Sequence, residues 1–242
     1  MKKFLFLVIS LTLILPVFAE NYGIYTPQNY TDNFKSEGKE RLLFILDLSN
    51  SMNEPLEDDT KYNLMLKTMK EILPKISSNT LVGLRIYGHR MGFTPMEACR
   101  ASTLASPFSA NNYDGINYAL NKHKPRGMTP ITYSLKQALK YDFMGYGGKK
   151  HIILMTDGGE NCDESPCKFV MDLIRIRRDV QIDVIAFNIK DYDDLEQLQC
   201  TALVTSGKFY NAQTSAQLFD GFNKSIESSK SVEAKILLPS LK

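Results

Sequence analysis

"LFILDLSNSM", residues 43–52, carries an apolar run into a polar knot. Together with Arg41 and Leu42 it extends to RLLFILDL, which is apolar without interruption from Leu42 to Leu46. A strand with one wet face alternates apolar and polar residues, whereas an unbroken run marks a strand covered on both faces. Where this run stops, Asp47, Ser49 and Ser51 place a carboxylate and two hydroxyls at every second position. Asn50 stands between the two serines.

The rest of the chain supplies the partners that such a strand needs. Tyr62, Met65, Met69, Ile72 and Ile76 follow helical spacing, with Pro74 near the end. LVGLRIYG (81–88) returns to strand character, and residues 89–110 read as loop with an edge strand at 102–108. A helix at 112–123 leads to Thr129 and Pro130, a residue tolerated in a first helical turn. Ile131, Leu135, Ala138 and Leu139 form the apolar stripe behind it. HIILMTDGGE (151–160) is a second buried strand, and it too ends in a carboxylate, Asp157. Helices at 165–178, 192–205 and 214–229 alternate with strands at 181–187 and 208–212. The order predicts an α/β fold: a doubly wound, mostly parallel central sheet flanked by helices, with one short antiparallel edge strand. In such sheets ligands bind beyond the carboxyl ends of the strands. Asp47 and Asp157 both fall there.

The ends of the chain have a different character. Lys2 and Lys3 precede an uncharged stretch from Phe4 to Phe18, and Val17 and Ala19 give a cleavage pattern before Glu20. Residues 1–19 therefore read as a signal peptide rather than a membrane anchor, which needs ~20 apolar residues. Residues 20–40 read as a linker or extended arm, 41–229 as the folded domain and 230–242 as a tail. Export to the periplasm, the cell surface or the medium is the expected localisation. Without Lys2 and Lys3 the chain carries 27 basic and 27 acidic residues. This balance gives no electrostatic reason to expect nucleic acid or an anionic membrane as partner. Glycines 147, 148, 158 and 159 form no phosphate-binding loop.

Cys99, Cys162, Cys167 and Cys200, an even number in an exported chain, predict two disulfides. A zinc site has no Cys-x-x-Cys pair or neighbouring histidine to support it. The spacing suggests Cys162–Cys167 as a local staple and Cys99–Cys200 as a long-range bridge.

Asp47, Ser49, Ser51, Thr129 and Asp157 offer oxygen only. This chemistry suits a hard cation, Mg²⁺ or Mn²⁺, rather than zinc or copper. The pattern Asp-x-Ser-x-Ser after a first strand, Thr before a middle helix and Thr-Asp-Gly after a later strand resembles the von Willebrand factor A domain. YGHR (87–90), RGMTPI (126–131) and LQCTALVTSGKFYNA (198–212) resemble its exported bacterial members. The resemblance implies a metal-ion-dependent adhesion site. Ser49 and Ser51 would bind the ion directly, Thr129 directly or through water, and Asp47 and Asp157 would compensate its charge. The remaining position would take an Asp or Glu from a partner protein. That family has Gly where this chain has Asn50, and a positive φ there would suit Asn best after Gly.

Taken singly, each feature has a plainer reading. Asp47, Ser49 and Ser51 are good helix caps, and Thr129–Pro130 is a good helix start. His89 reads as a hydrogen-bonded loop residue, His151 as structural and His123 as a helix end, while Arg175, Arg177 and Arg178 read as a solvated helix end. The functional expectation is a non-catalytic, metal-dependent protein-binding module for adhesion or assembly. Its alternative is a metal-dependent hydrolase such as a phosphatase, for which His89 and Glu160 are the candidate bases.

Overall fold

A computed structural model describes residues 39–237, with side chains up to residue 227. The expected signal peptide, the linker up to residue 38 and residues 238–242 of the tail lie outside the described residues.

β1 (Arg41–Asp47) is fully buried along its length, as its unbroken apolar run requires. Its side chains divide by parity. Leu42, Phe44 and Leu46 enter one core, while Leu43 and Ile45 enter the other. The strand is thus packed on both faces, and each face has its own helix layer. After a 3₁₀ turn at Asn50–Asn53, β2 (Pro55–Leu56) and β3 (Asp59–Thr60) form a small antiparallel hairpin. α1 (Lys61–Ile72) follows, and β4 (Leu81–Tyr87) then pairs parallel to β1. α2 (Pro95–Ala98) interrupts the loop before β5 (Ser102–Ala110), which runs antiparallel to β4.

α3 (Tyr113–Lys122) and α4 (Ile131–Gln137) precede β6 (Lys150–Thr156), which pairs with the other side of β1. α5 (Pro166–Ile176), β7 (Val180–Phe187), α6 (Tyr192–Val204), β8 (Phe209–Ala212) and α7 (Ser215–Leu237) complete the chain. The sheet order is β5-β4-β1-β6-β7-β8, doubly wound and parallel except at β5. Met65, Met69, Ile116, Leu218 and Phe222 from α1, α3 and α7 fill one core. Ile131, Leu135, Val170, Leu198 and Ala202 from α4, α5 and α6 fill the other.

The structure differs from the sequence expectation in several elements. β5 is nine residues long and contains Pro107, which an edge strand accommodates with register shifts against β4. α7 continues to Leu237, past the expected end at 229. The β2–β3 hairpin and α2 escaped prediction because two- and four-residue elements have no periodicity to read. Asn50 is not among the residues with positive φ. It opens the 3₁₀ turn instead, with its N–H on Gly127 O at 3.0 Å.

The cysteines pair as Cys99–Cys162 and Cys167–Cys200, so both bridges exist but neither expected pairing does. Between Cys162 and Cys167 the chain turns through Asp163 at φ 56° and then starts α5 at Ser165–Pro166. Cys162 is left in the loop after β6, facing the end of α2, while Cys167 rides on α5 against α6. Closeness in sequence was a poor guide because a helix start lies between the two.

Candidate metal centre

The switch in winding direction falls between β1 and β6. The chain leaves β1 for β4 on one side and returns to β6 on the other. Adjacent connections diverge there and open a crevice at the carboxyl ends. Asp47 closes β1, and Asp157 follows the last residue of β6.

Both Asp47 carboxylate oxygens are engaged by the protein. Oδ1 accepts from Ser49 N–H at 2.6 Å and Oδ2 from the Thr156 hydroxyl at 2.8 Å. Asp47 therefore shapes the loop and supplies charge from behind. The hydroxyls stand in front of it: Ser49 Oγ lies 3.0 Å from Ser51 Oγ, and Ser51 Oγ donates to Asp157 Oδ1 at 2.7 Å. A hydroxyl whose proton points at a carboxylate leaves its lone pairs for a cation. Burial raises the Asp47 pKa first, and the Asp157 charge raises it further. Burial also raises Asp157, against the pull of Ser51 and Lys61. Two carboxylates close together and out of water call for a compensating positive charge.

The loop from Arg126 to Thr129 is laced to the first one. Arg126 N–H reaches Leu48 O at 3.1 Å, and Ser49 forms an isolated parallel bridge with Gly127. Thr129, 4 % exposed, is set by its N–H on Asn161 Oδ1 at 2.7 Å. Ser51, Thr129 and Asp157 line one cleft of about 550 Å³, together with Glu54, Lys61, Glu160 and Asp194. The structure thus brings Asp47, Ser49, Ser51 and Asp157 into one hydrogen-bonded cluster, and Thr129 shares the cleft.

Gly88 underlies this arrangement. Its φ is +69°, and a Cβ there would sit 2.5 Å from Ser49 N and 2.7 Å from Met128 O. Only glycine lets the loop after β4 pass this close to both site loops.

Sequence reasoning missed Lys61. Its ammonium is 3.0 Å from Asp157 Oδ2 and 2.7 Å from Glu54 Oε2, and the residue is 4 % exposed. Burial lowers its pKa, but the two carboxylates outweigh that and leave it raised. A signal for it was present: Lys61 falls on the buried stripe of α1 with Met65, Thr68 and Ile72. Thr156, Asn161 and Gly88 were also missed as supports, because their roles depend on contacts between segments distant in sequence.

Among the described residues, no group of three or more His, Cys, Asp and Glu side chains is placed to hold a metal. A cation in this cleft would therefore depend on hydroxyl ligands, and the oxygen-only donor set fits Mg²⁺ or Mn²⁺. Both candidate bases make contacts within the protein. Glu160 accepts from Thr132 N–H at 2.7 Å and Cys162 N–H at 3.1 Å. His89 stacks edge-on against His123 and contacts the Thr103 hydroxyl at 3.2 Å.

A profile of the von Willebrand factor type A domain matches residues 42–224. The uncharacterized protein YwmC of Bacillus subtilis is 26% identical over 200 residues, covering 80% of this chain and 86% of its own. Among solved structures, the conserved hypothetical protein BatB from Bacteroides thetaiotaomicron superposes with a TM-score of 0.62 at 14% identity. That match covers 79% of this chain and 99% of BatB. Proximal thread matrix protein 1 from the mussel byssus, with a zinc-occupied MIDAS motif, gives a TM-score of 0.60 at 21% identity. It covers 80% of this chain and 46% of the mussel protein. At these identities the structural likeness speaks for the fold.

Proposed function

The chain belongs to the von Willebrand factor type A domain family, and on that premise we propose that it is an exported, metal-dependent protein-binding module. Asp47, Ser49, Ser51, Thr129 and Asp157 form its metal-ion-dependent adhesion site. The observation that carries this reading is the cluster of hydroxyls and carboxylates that meets an open cleft through Ser51, Thr129 and Asp157, with Asp47 Oδ1 and Oδ2 bonded to Ser49 N–H and the Thr156 hydroxyl behind them.

Ser49, Ser51 and Thr129 would hold Mg²⁺ or Mn²⁺ through neutral oxygens, while Asp47 and Asp157 balance its charge from one step further out. When bound, the ion supplies an electrophilic position for an Asp or Glu of the partner protein. Asp47 fixes the Ser49 backbone by accepting from its N–H, and Asn161 does the same for Thr129. The zinc-occupied MIDAS motif of the mussel protein supports the reading by showing the same fold with a metal at that motif. Two disulfides accord with an exported chain. Among the described residues, no helix is long and apolar enough to cross a membrane.

The test is isothermal titration of the mature domain with Mg²⁺ and Mn²⁺. One weak site is expected, which Asp47→Ala abolishes while the circular dichroism of helices and sheet persists. Partner capture should then be lost in EDTA and restored by Mg²⁺, and Thr129→Ala should weaken the partner more than the metal. Metal binding indifferent to Asp47→Ala would refute the assignment. The hydrolase alternative predicts Mg²⁺-dependent turnover of generic phosphate esters that is lost in Asp157→Ala. We expect no turnover: of the two candidate bases, Glu160 already accepts from two backbone N–H groups and His89 does not line the cleft.

A further inference from the structure

Lys61 occupies a costly position. It is the first residue of α1, where the helix dipole disfavours a cation. It is also buried, where an ammonium loses its hydration. Both costs are met by two carboxylates of different character. Asp157 has a fully buried side chain, and Glu54 has a side chain 61% exposed. The two oxygens of Asp157 divide the work: Oδ1 faces the Ser51 hydroxyl at 2.7 Å, and Oδ2 faces the Lys61 ammonium at 3.0 Å.

Resting on the reading of the cleft given above, we propose that Lys61 is a built-in counter-cation. It compensates Asp157 when no divalent ion is bound and shifts its hold toward Glu54 when one arrives. A divalent ion held by Ser51 would share the Asp157 carboxylate with the ammonium already 3.0 Å from it, and the two cations repel each other. Glu54 gives the displaced charge a partner already within hydrogen-bond distance, on the solvent side. Two properties follow. The domain folds without metal because Lys61 already offsets the charge of Asp157, while Asp47 is held by the Ser49 N–H and the Thr156 hydroxyl, and its metal affinity is set low because the ion must compete with a resident charge. Lys61 is thus an affinity-determining residue rather than a ligand.

Lys61→Met and Glu54→Gln test this, with Mg²⁺ and Mn²⁺ titrated calorimetrically and melting followed in EDTA and in Mg²⁺. Lys61→Met should bind metal about tenfold more tightly or better, since a unit positive charge has left a low-dielectric site. It should also melt at a lower temperature in EDTA and show a larger rise on adding Mg²⁺ than the wild type. Glu54→Gln, at an exposed position and expected to fold, should bind metal more weakly because Lys61 loses its alternative partner. In the double variant that weakening should disappear. Equal metal affinity in wild type and Lys61→Met, or an undiminished Glu54→Gln effect without Lys61, overturns the inference alone. Absence of metal binding in both wild type and Lys61→Met overturns the reading of the cleft and this inference with it.

Discussion

At the scale of single residues, the protein uses burial to set the charge state of side chains near the site. His89 is the clearest case outside the cluster. Its ring meets His123 at 5.0 Å between centroids, and its Nδ1 has no hydrogen-bond partner among the described residues. Burial first, then the charges of His123 and Arg90, lower its pKa from 6.5 to about 4. The folded state therefore binds the proton later than the unfolded state as pH falls. Its contribution to stability is complete above about 6.5 and is lost as pH falls toward about 4. Urea unfolding from pH 7.5 to 4 should show the wild type losing more stability than His89→Gln across that window. Parallel profiles for the two proteins would exclude His89 as the source. Asp47, Ser49, Ser51, Thr129 and Asp157 were legible as a set because oxygen chemistry at strand ends can be read from residue type. Lys61 was legible only as an anomaly, a charge on an apolar stripe.

At the scale of elements, the edge of the sheet depends on a buried ion pair. Arg85 in β4 makes two bonds to Asp142, both 2.6 Å, and a third to Ser102 Oγ in β5 at 2.9 Å. Asp142 ends a π-turn, Ala138–Asp142, that continues α4. The guanidinium thus ties β4, β5 and the α4 extension together, with both side chains no more than 5% exposed. Asp142→Ala should cost roughly 3–5 kcal/mol, since it strands a buried guanidinium. Arg85→Met with Asp142→Leu should cost much less, because replacing both charges leaves neither one buried and unpaired. Denaturant midpoints of the two variants would check this, and equal losses would contradict it. The long elements were readable from periodicity. The short ones (α2, β2 and β3) and the π-turn were not, because loop contacts rather than residue pattern define them.

At the scale of the whole molecule, one disulfide fastens a site loop and the other fastens a helix layer. Cys99–Cys162 joins the loop after β4 to the loop after β6, which carries Glu160 and Asn161. Those two side chains hold the start of α4 and the Thr129 backbone. Cys167–Cys200 joins α5 to α6 on one face of the sheet. The bridges span 63 and 33 residues, so each should contribute roughly 3–5 kcal/mol in the chain-entropy account. Non-reducing peptide mapping should recover these pairs and no Cys162–Cys167 peptide. Of the two single removals, Cys99→Ser/Cys162→Ser should weaken metal binding more than Cys167→Ser/Cys200→Ser does. A reversed order would mean that the first bridge does not support the Thr129 loop.

The doubly wound fold and the oxygen-bearing set could be read along the chain, because both follow from local facts. Unbroken apolar runs at 42–46 and 152–155 have to be buried on both faces, and Asp, Ser and Thr keep their chemistry wherever they are placed. Pairings between distant loops could not be read this way. Which cysteine meets which, that Gly88 must pass beneath Ser49, and that Lys61 reaches Asp157 across 96 residues all depend on how the strands are ordered in space. Distance along the chain carries little information about such contacts. They form only once β1 lies between β4 and β6 and their carboxyl ends converge on one crevice.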